Sequence, residues 1–121
     1  KKEYYDTGTM VDKAKSYIKE NIYKDISQEE TANYLYICPS YLSRMFKKQT
    51  GESFIQYVTR VKMEKAIELL KDPQYKTYHV SEILGYKTPR YFSRLFRTHT
   101  GMNPSEYRGK VLHLGGEYDE A

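Results

Sequence analysis

PSYLSRMFKKQTG (residues 39–51) and PRYFSRLFRTHTG (89–101) are two copies of one segment, offset by 50 residues. Pro39/Pro89, Tyr41/Tyr91, Ser43/Ser93, Arg44/Arg94, Phe46/Phe96, Thr50/Thr100 and Gly51/Gly101 are identical. Lys47/Arg97 keeps the charge, and Tyr57/Tyr107 extends the match. Each copy has Pro at a first helical position and Gly as a stop, an asymmetry that predicts a helix. At about 100° per residue from Ser40, the residues Leu42, Met45 and Phe46 fall near 200°, 140° and 240°. Ser40, Ser43, Arg44 and Lys47 fall at about 0°, 300°, 40° and 340°. One face is therefore apolar and the opposite face small-polar and cationic. The second copy repeats this with Phe92, Leu95 and Phe96 against Arg90, Ser93, Arg94 and Arg97. Solenoids need about three or more units to bury a core, so two units indicate a duplicated supersecondary element.

A second short helix is predicted before each copy. Ser27-Gln28-Glu29-Glu30 is a capping box opening SQEETANYL, which should run to about Leu35. Its counterpart is HVSEILGY, with Ser81 in the place of Ala32 and Leu84 in the place of Leu35. Here the offset is 49, so the second turn is one residue longer. Gly85 supplies a sharp turn with φ > 0. Tyr36 holds the matching place, so the first turn must adopt another conformation or carry strain. Short helix, turn and cationic helix together make a helix-turn-helix, present twice.

The remaining segments supply supporting helices. Thr9 to about Tyr23 has Met10, Val11, Ala14, Tyr17, Ile18 and Ile22 at helical spacing behind a Thr9-x-x-Asp12 cap. Ser53-x-x-Gln56 opens a long helix that ends before Asp72-Pro73. Its apolar residues (Phe54, Tyr57, Val58, Val61, Ala66, Ile67, Leu69, Leu70) cover a broad arc, suited to packing against both halves at its two ends. Asn103-Pro104-Ser105-Glu106 caps a last helix to about Leu112. The expected fold is all-α, with about seven helices in two homeodomain-like helix-turn-helix subdomains joined by a long linker helix. The divisions are a lead-in over 1–8, a first subdomain over 9–52, the linker over 53–72, a second subdomain over 73–112 and a tail over 113–121. The tail, Gly-bearing and acidic, is expected to be frayed or accessory.

Charge follows the repeat. The 121 residues carry a net +4, but residues 39–50 hold +3 and residues 86–100 hold +4, both without an acid. The rest is near-neutral scaffold. No stretch approaches the ~20 apolar residues of a membrane span, and mean hydropathy is −0.83. A single Cys excludes an internal disulfide, and no Cys/His set has zinc-ligand spacing. KKEYYDTG has no apolar core of a signal peptide, and the absent initiator Met fits a piece cut from a longer protein. The expectation is a basic, intracellular, globular domain.

An acid-free cationic helix suits duplex DNA, whose major groove is about 12 Å wide and admits one helix. Arg44 and Arg94, at matching places, are the candidates for guanine O6/N7, with Ser40, Ser43, Arg90 and Ser93 beside them. Lys47, Lys48, Lys87 and Arg97 are assigned mainly to phosphates, which position without specifying. The bland alternative for each arginine is a surface salt bridge, disfavoured because neither helix offers an acid four residues away. A linker helix of about 18 residues is roughly 27 Å long, against about 34 Å between successive major grooves. Both helices could then engage one DNA face, with a DNA bend or phosphate-only docking of one module making up any shortfall. His79, His99 and His113 share no ligand spacing and are placed in a short helix, near a helix end and in the tail. Cys38 has no evident base partner, and Tyr17, Tyr57 and Tyr107 fit a core better than a base-stacking platform. No cofactor or metal is expected, and no catalysis. A helical protein-interaction module and a non-specific single-stranded nucleic-acid binder are the alternatives.

TANYLYICPSYLSRMFKKQTGESFIQYV and VSEILGYKTPRYFSRLFRTHTGMNPSEYR together resemble the DNA-binding domain of the AraC/XylS family of bacterial transcription regulators. The resemblance spans roughly residues 10–110 and implies two helix-turn-helix subdomains on a linker helix. In the family the positions of Ser40, Ser43, Arg90 and Ser93 commonly face bases. It implies double-stranded DNA and RNA polymerase as partners, a cytoplasmic location, and an upstream sensory or receiver domain outside this chain. The chain also looks like the output domains of two-component response regulators in this family. Three positions depart from the family habit. Cys38 stands where Ser usually caps the first recognition helix, Ser81 replaces Ala, and Lys62 stands where the linker helix commonly has Arg.

Overall fold

The computed structural model describes residues 9–114, with side chains to residue 112. The expected lead-in over 1–8 and the tail beyond 114 lie outside the described residues. Within them the chain is all-helical: α1 (Met10–Glu20), α2 (Gln28–Tyr34), α3 (Pro39–Thr50), α4 (Phe54–Leu70), α5 (Thr77–Ile83), α6 (Pro89–Thr100) and α7 (Pro104–Leu114). Two compact units divide inside α4, between Thr59 and Arg60.

The helix starts follow from their side chains. At α1, Thr9 Oγ1 accepts from Asp12 N at 3.1 Å and Asp12 Oδ2 accepts from Thr9 N at 3.4 Å. Ser53 and Gln56 exchange the same pair of bonds at α4, and Asn103 and Glu106 at α7. At α2 only half the expected box forms. Ser27 Oγ accepts from Glu30 N at 3.0 Å, while the Glu30 carboxylate pairs with Lys24 Nζ at 3.5 Å.

The ends depart from expectation where a side chain competes. α1 stops at Glu20 rather than Tyr23, because Asn21 Nδ2 donates back to the Tyr17 carbonyl at 2.7 Å and closes the helix there. α7 continues to Leu114, which places His113 in the helix rather than in the tail. Beyond the helix the sequence continues with Gly115 and Gly116, both poor helix formers. The repeated Thr-Gly stop is explained in both copies. Thr50 Oγ1 lies 2.8 Å from the Phe46 carbonyl and accepts from Glu52 N at 3.1 Å. Thr100 does the same with Phe96 (2.9 Å) and Met102 (3.2 Å). Gly51 and Gly101 then take left-handed backbone at φ 84° and 88°.

In the first unit, Val11, Ala14 and Ile18 of α1 pack with Ala32, Leu42, Phe46, Phe54 and Val58. In the second, Met63, Ala66 and Leu70 of α4 pack with Val80, Leu84, Phe92 and Phe96. The duplicated Phe–Tyr pair is edge-on in both: Phe46–Tyr57 at 5.1 Å and Phe96–Tyr107 at 5.6 Å between ring centres. Met63, outside the apolar arc assigned to α4, is fully buried. Lys62 is also buried, only 3% exposed. Its ammonium donates to the Leu84 carbonyl at the end of α5 and sits 5.5 Å from the Tyr86 ring centre.

Candidate nucleic-acid interface

Each cationic helix is positioned by the turn before it. Tyr36 N donates to Asn33 O (3.1 Å) and Ile37 N to Ala32 O (3.0 Å). Gly85 N to Glu82 O (3.0 Å) and Tyr86 N to Ser81 O (3.0 Å) are the matching bonds. This is the same helix-ending motif twice, with a left-handed residue at its corner. Gly85 takes it at φ 82°, and Tyr36 takes it at φ 59°. Of the two options for the first turn, the conformation is shared and the strain is real. Ala32 and Ser81 are buried at matching places. Ser81 Oγ donates to the Tyr78 carbonyl at 2.9 Å, so the added hydroxyl is satisfied.

The helix starts differ. Thr88 Oγ1 accepts from Tyr91 N at 3.1 Å and caps α6. Cys38 occupies the same position on α3 and makes no capping bond. Its Sγ lies 3.5 Å from Ser40 Oγ instead. That hydroxyl, and then the backbone at Tyr41, hold the exposed thiol below its ordinary pKa.

The structure brings the candidates together in two groups. Ser40, Ser43, Arg44, Lys47 and Lys48 lie on α3, and Arg90, Ser93, Arg94 and Arg97 lie on α6. Lys87 sits in the turn before α6. Ser43 and Ser93 are half-buried at the foot of each face, and the other eight are exposed. Burial agrees position by position across 40–51 and 90–101. None of the seven cations is ion-paired among the described residues. The salt-bridge alternative for Arg44 and Arg94 therefore has no geometry behind it.

Two residues escaped the sequence argument. The guanidinium carbon of Arg44 lies 5.5 Å from the Tyr41 ring centre, and that of Arg94 lies 5.4 Å from Tyr91. Tyr41 and Tyr91 are 39% and 45% exposed, beside the cations rather than in a core. Their identity in both copies was the available signal. Arg108 was also missed as a structural group. Only 8% exposed, it donates from Nε to the Leu70 carbonyl (3.0 Å) and from Nη2 to the Asp72 carbonyl (3.1 Å). It thereby ties α7 to the end of α4. Among the described residues no group of His, Cys, Asp and Glu is arranged to hold a metal, and no helix is long and apolar enough to cross a membrane.

Comparison with known proteins places these features in context. A helix-turn-helix domain family matches residues 31–110. The C-terminal domain of AraT, a response regulator from Geobacillus stearothermophilus, is 38% identical, with a TM-score of 0.80 over 84% of each chain. The uncharacterized transcriptional regulatory protein YesN of Bacillus subtilis is 42% identical over 78 residues, 63% of this chain and 21% of YesN. The DNA-binding domain of AdpA, a global transcriptional factor solved in complex with a target DNA, shares the fold. Its TM-score is 0.83 at 20% identity, over 88% of this chain and 96% of that one. The chain spans between 21% and 40% of the length of curated relatives such as YesN.

Proposed function

The chain belongs to the AraC-type helix-turn-helix family, whose matched relatives are transcriptional regulators, and we propose that it binds double-stranded DNA sequence-specifically through α3 and α6. One observation carries the proposal. An exposed, acid-free face of serines and cations is built twice, on helices whose opposite faces are core. A helix laid in the major groove needs small residues where it is closest, donors for base edges and cations at its margins for phosphates. Arg44 and Arg94 are assigned to guanine O6/N7, with Ser40, Ser43, Arg90 and Ser93 beside them. Lys47, Lys48, Lys87 and Arg97 are assigned to phosphates.

The two faces are not equivalent. Arg90 stands where the first copy has Ser40, so at the positions assigned to bases α6 presents two arginines one turn apart and α3 presents one. The bound site should therefore have two dissimilar parts and no palindrome. The working modules are 9–52 and 73–112, with 53–72 between them. RNA polymerase as a second partner, a receiver or sensory domain elsewhere in the protein and a cytoplasmic setting belong to the same proposal. The AraT fragment, taken from a response regulator, supports the receiver assignment by analogy.

Salt titration tests the binding mode. For duplex DNA, log K should fall against log[salt] by about 0.9 per phosphate neutralised. Equal affinity for single strands would favour the non-specific single-strand binder. No salt-dependent affinity for any nucleic acid would favour a protein-interaction module.

A further inference from the structure

We propose that Tyr41 and Tyr91 are positioning residues, each ring holding the guanidinium of the arginine one turn later so that its donor edge is free for a base. The inference rests on the base-reading role proposed above for Arg44 and Arg94. The arrangement is duplicated: guanidinium carbon to ring centre is 5.5 Å for Arg44–Tyr41 and 5.4 Å for Arg94–Tyr91. The two tyrosines are identical across copies although their neighbours Ser40/Arg90, Leu42/Phe92 and Met45/Leu95 differ. Both rings are substantially exposed, so core packing does not require them.

The chemistry follows from how a guanidinium interacts. Stacking on a ring uses the flat face of the cation, whereas its five N–H donors lie in the plane. A stacked arginine is thus held by one surface and offers the other set of contacts intact. Long side chains on a helix lean toward its N-terminus. A ring three residues earlier draws the charge further that way, toward the end of a recognition helix that contacts base edges. An arginine already restrained there loses less rotamer freedom on binding. In the second unit the Tyr91 ring is itself 6.0 Å from the Tyr86 ring, a second support that α3 does not share in this form.

The test uses the full chain and duplexes from a binding selection, comparing wild type with Arg94→Ala, Tyr91→Ala, Tyr91→Leu and Tyr91→Phe. Arg94→Ala identifies the base position read by that arginine. Tyr91→Ala and Tyr91→Leu are expected to reduce discrimination at that same position by about two- to fivefold. Their salt slope should match wild type, and Tyr91→Phe should restore discrimination because the ring remains. Helical circular dichroism and melting confirm that each variant is folded, and Tyr91→Leu preserves bulk if alanine loosens the helix. If Arg94→Ala abolishes discrimination while Tyr91→Ala and Tyr91→Leu leave it intact, the positioning role is overturned and base reading stands. If Tyr91→Phe weakens all sequences alike, the hydroxyl serves a phosphate and the positioning role is again overturned. If Arg94→Ala changes no base preference, base reading by Arg94 fails, and the positioning role falls with it.

Discussion

Tyr36 and Gly85 occupy the same left-handed corner in two copies of one turn, at φ 59° and 82°, closed by the same pair of backbone bonds. The glycine is at ease there. The tyrosine has a Cβ that crowds the following carbonyl, a conformation worth roughly 1–2 kcal/mol of strain. Its side chain is 94% exposed, so little packing offsets that strain.

Relieving the strain should stabilise the first unit. Tyr36→Gly is expected to raise stability by about 0.5–1 kcal/mol, after subtracting the extra freedom glycine loses on folding. Gly85→Ala should lower it by about 1 kcal/mol or more. Urea unfolding of the two variants measures both. A destabilised Tyr36→Gly would mean that the exposed ring makes a contribution the turn geometry does not account for.

Helix starts offer a reciprocal pair. Thr88→Ala removes the bond to Tyr91 N and should cost about 1 kcal/mol. Cys38→Ser supplies α3 with a hydroxyl where no capping bond exists and should gain up to about 1 kcal/mol. Thermal melts would contradict this account if the two substitutions shifted stability in the same direction.

The Cys38 thiol should titrate below its ordinary value. The Ser40 hydroxyl is the first cause and the Tyr41 backbone the second, and both favour the thiolate. Because the folded pKa is depressed, more thiolate is present at a given pH than in the unfolded chain. The pH profile of alkylation rate should therefore have a lower midpoint in the folded protein than in urea. Ser40→Ala should move that midpoint upward. An unchanged midpoint would remove the hydroxyl as the cause.

Two buried cations should matter to folding rather than to base choice. Lys62→Met leaves the Leu84 carbonyl without its ammonium donor and is expected to cost about 1–3 kcal/mol. Arg108→Met removes two bonds to the end of α4 and should cost at least about 1.5–3 kcal/mol, with Arg108→Lys recovering only part. Unfolding midpoints test the stability effect, and binding selection tests the other half. An altered base preference in Lys62→Met would argue that this lysine reaches DNA.

Most of the architecture was legible because it is written twice. Pro39 and Pro89, Gly51 and Gly101, and the Phe46/Phe96 stripe mark helix starts, stops and core in register, and the fold follows them. Charge revealed the candidate faces because scaffold acids are absent from both. The misses have separate physical causes. Lys62 and Arg108 look like solvated charges in sequence, and only tertiary packing gives them carbonyl partners 22 and 38 residues away. Asn21 ends α1 early through a local side-chain bond that competes with the apolar spacing through Ile22. Tyr41 and Tyr91 lie between the apolar and cationic faces, and only the folded side chains set their rings beside the arginines.

Selection from a pool of random duplexes, followed by the same selection with Arg44→Ala and Arg94→Ala, is the most direct test of the central claim. The account predicts an enriched motif in two dissimilar parts with guanine preferred in each. Each arginine variant should lose preference in one part only, and Lys48→Ala should weaken all sequences alike. Enrichment of no motif, or a motif unchanged by both arginine substitutions, would contradict it.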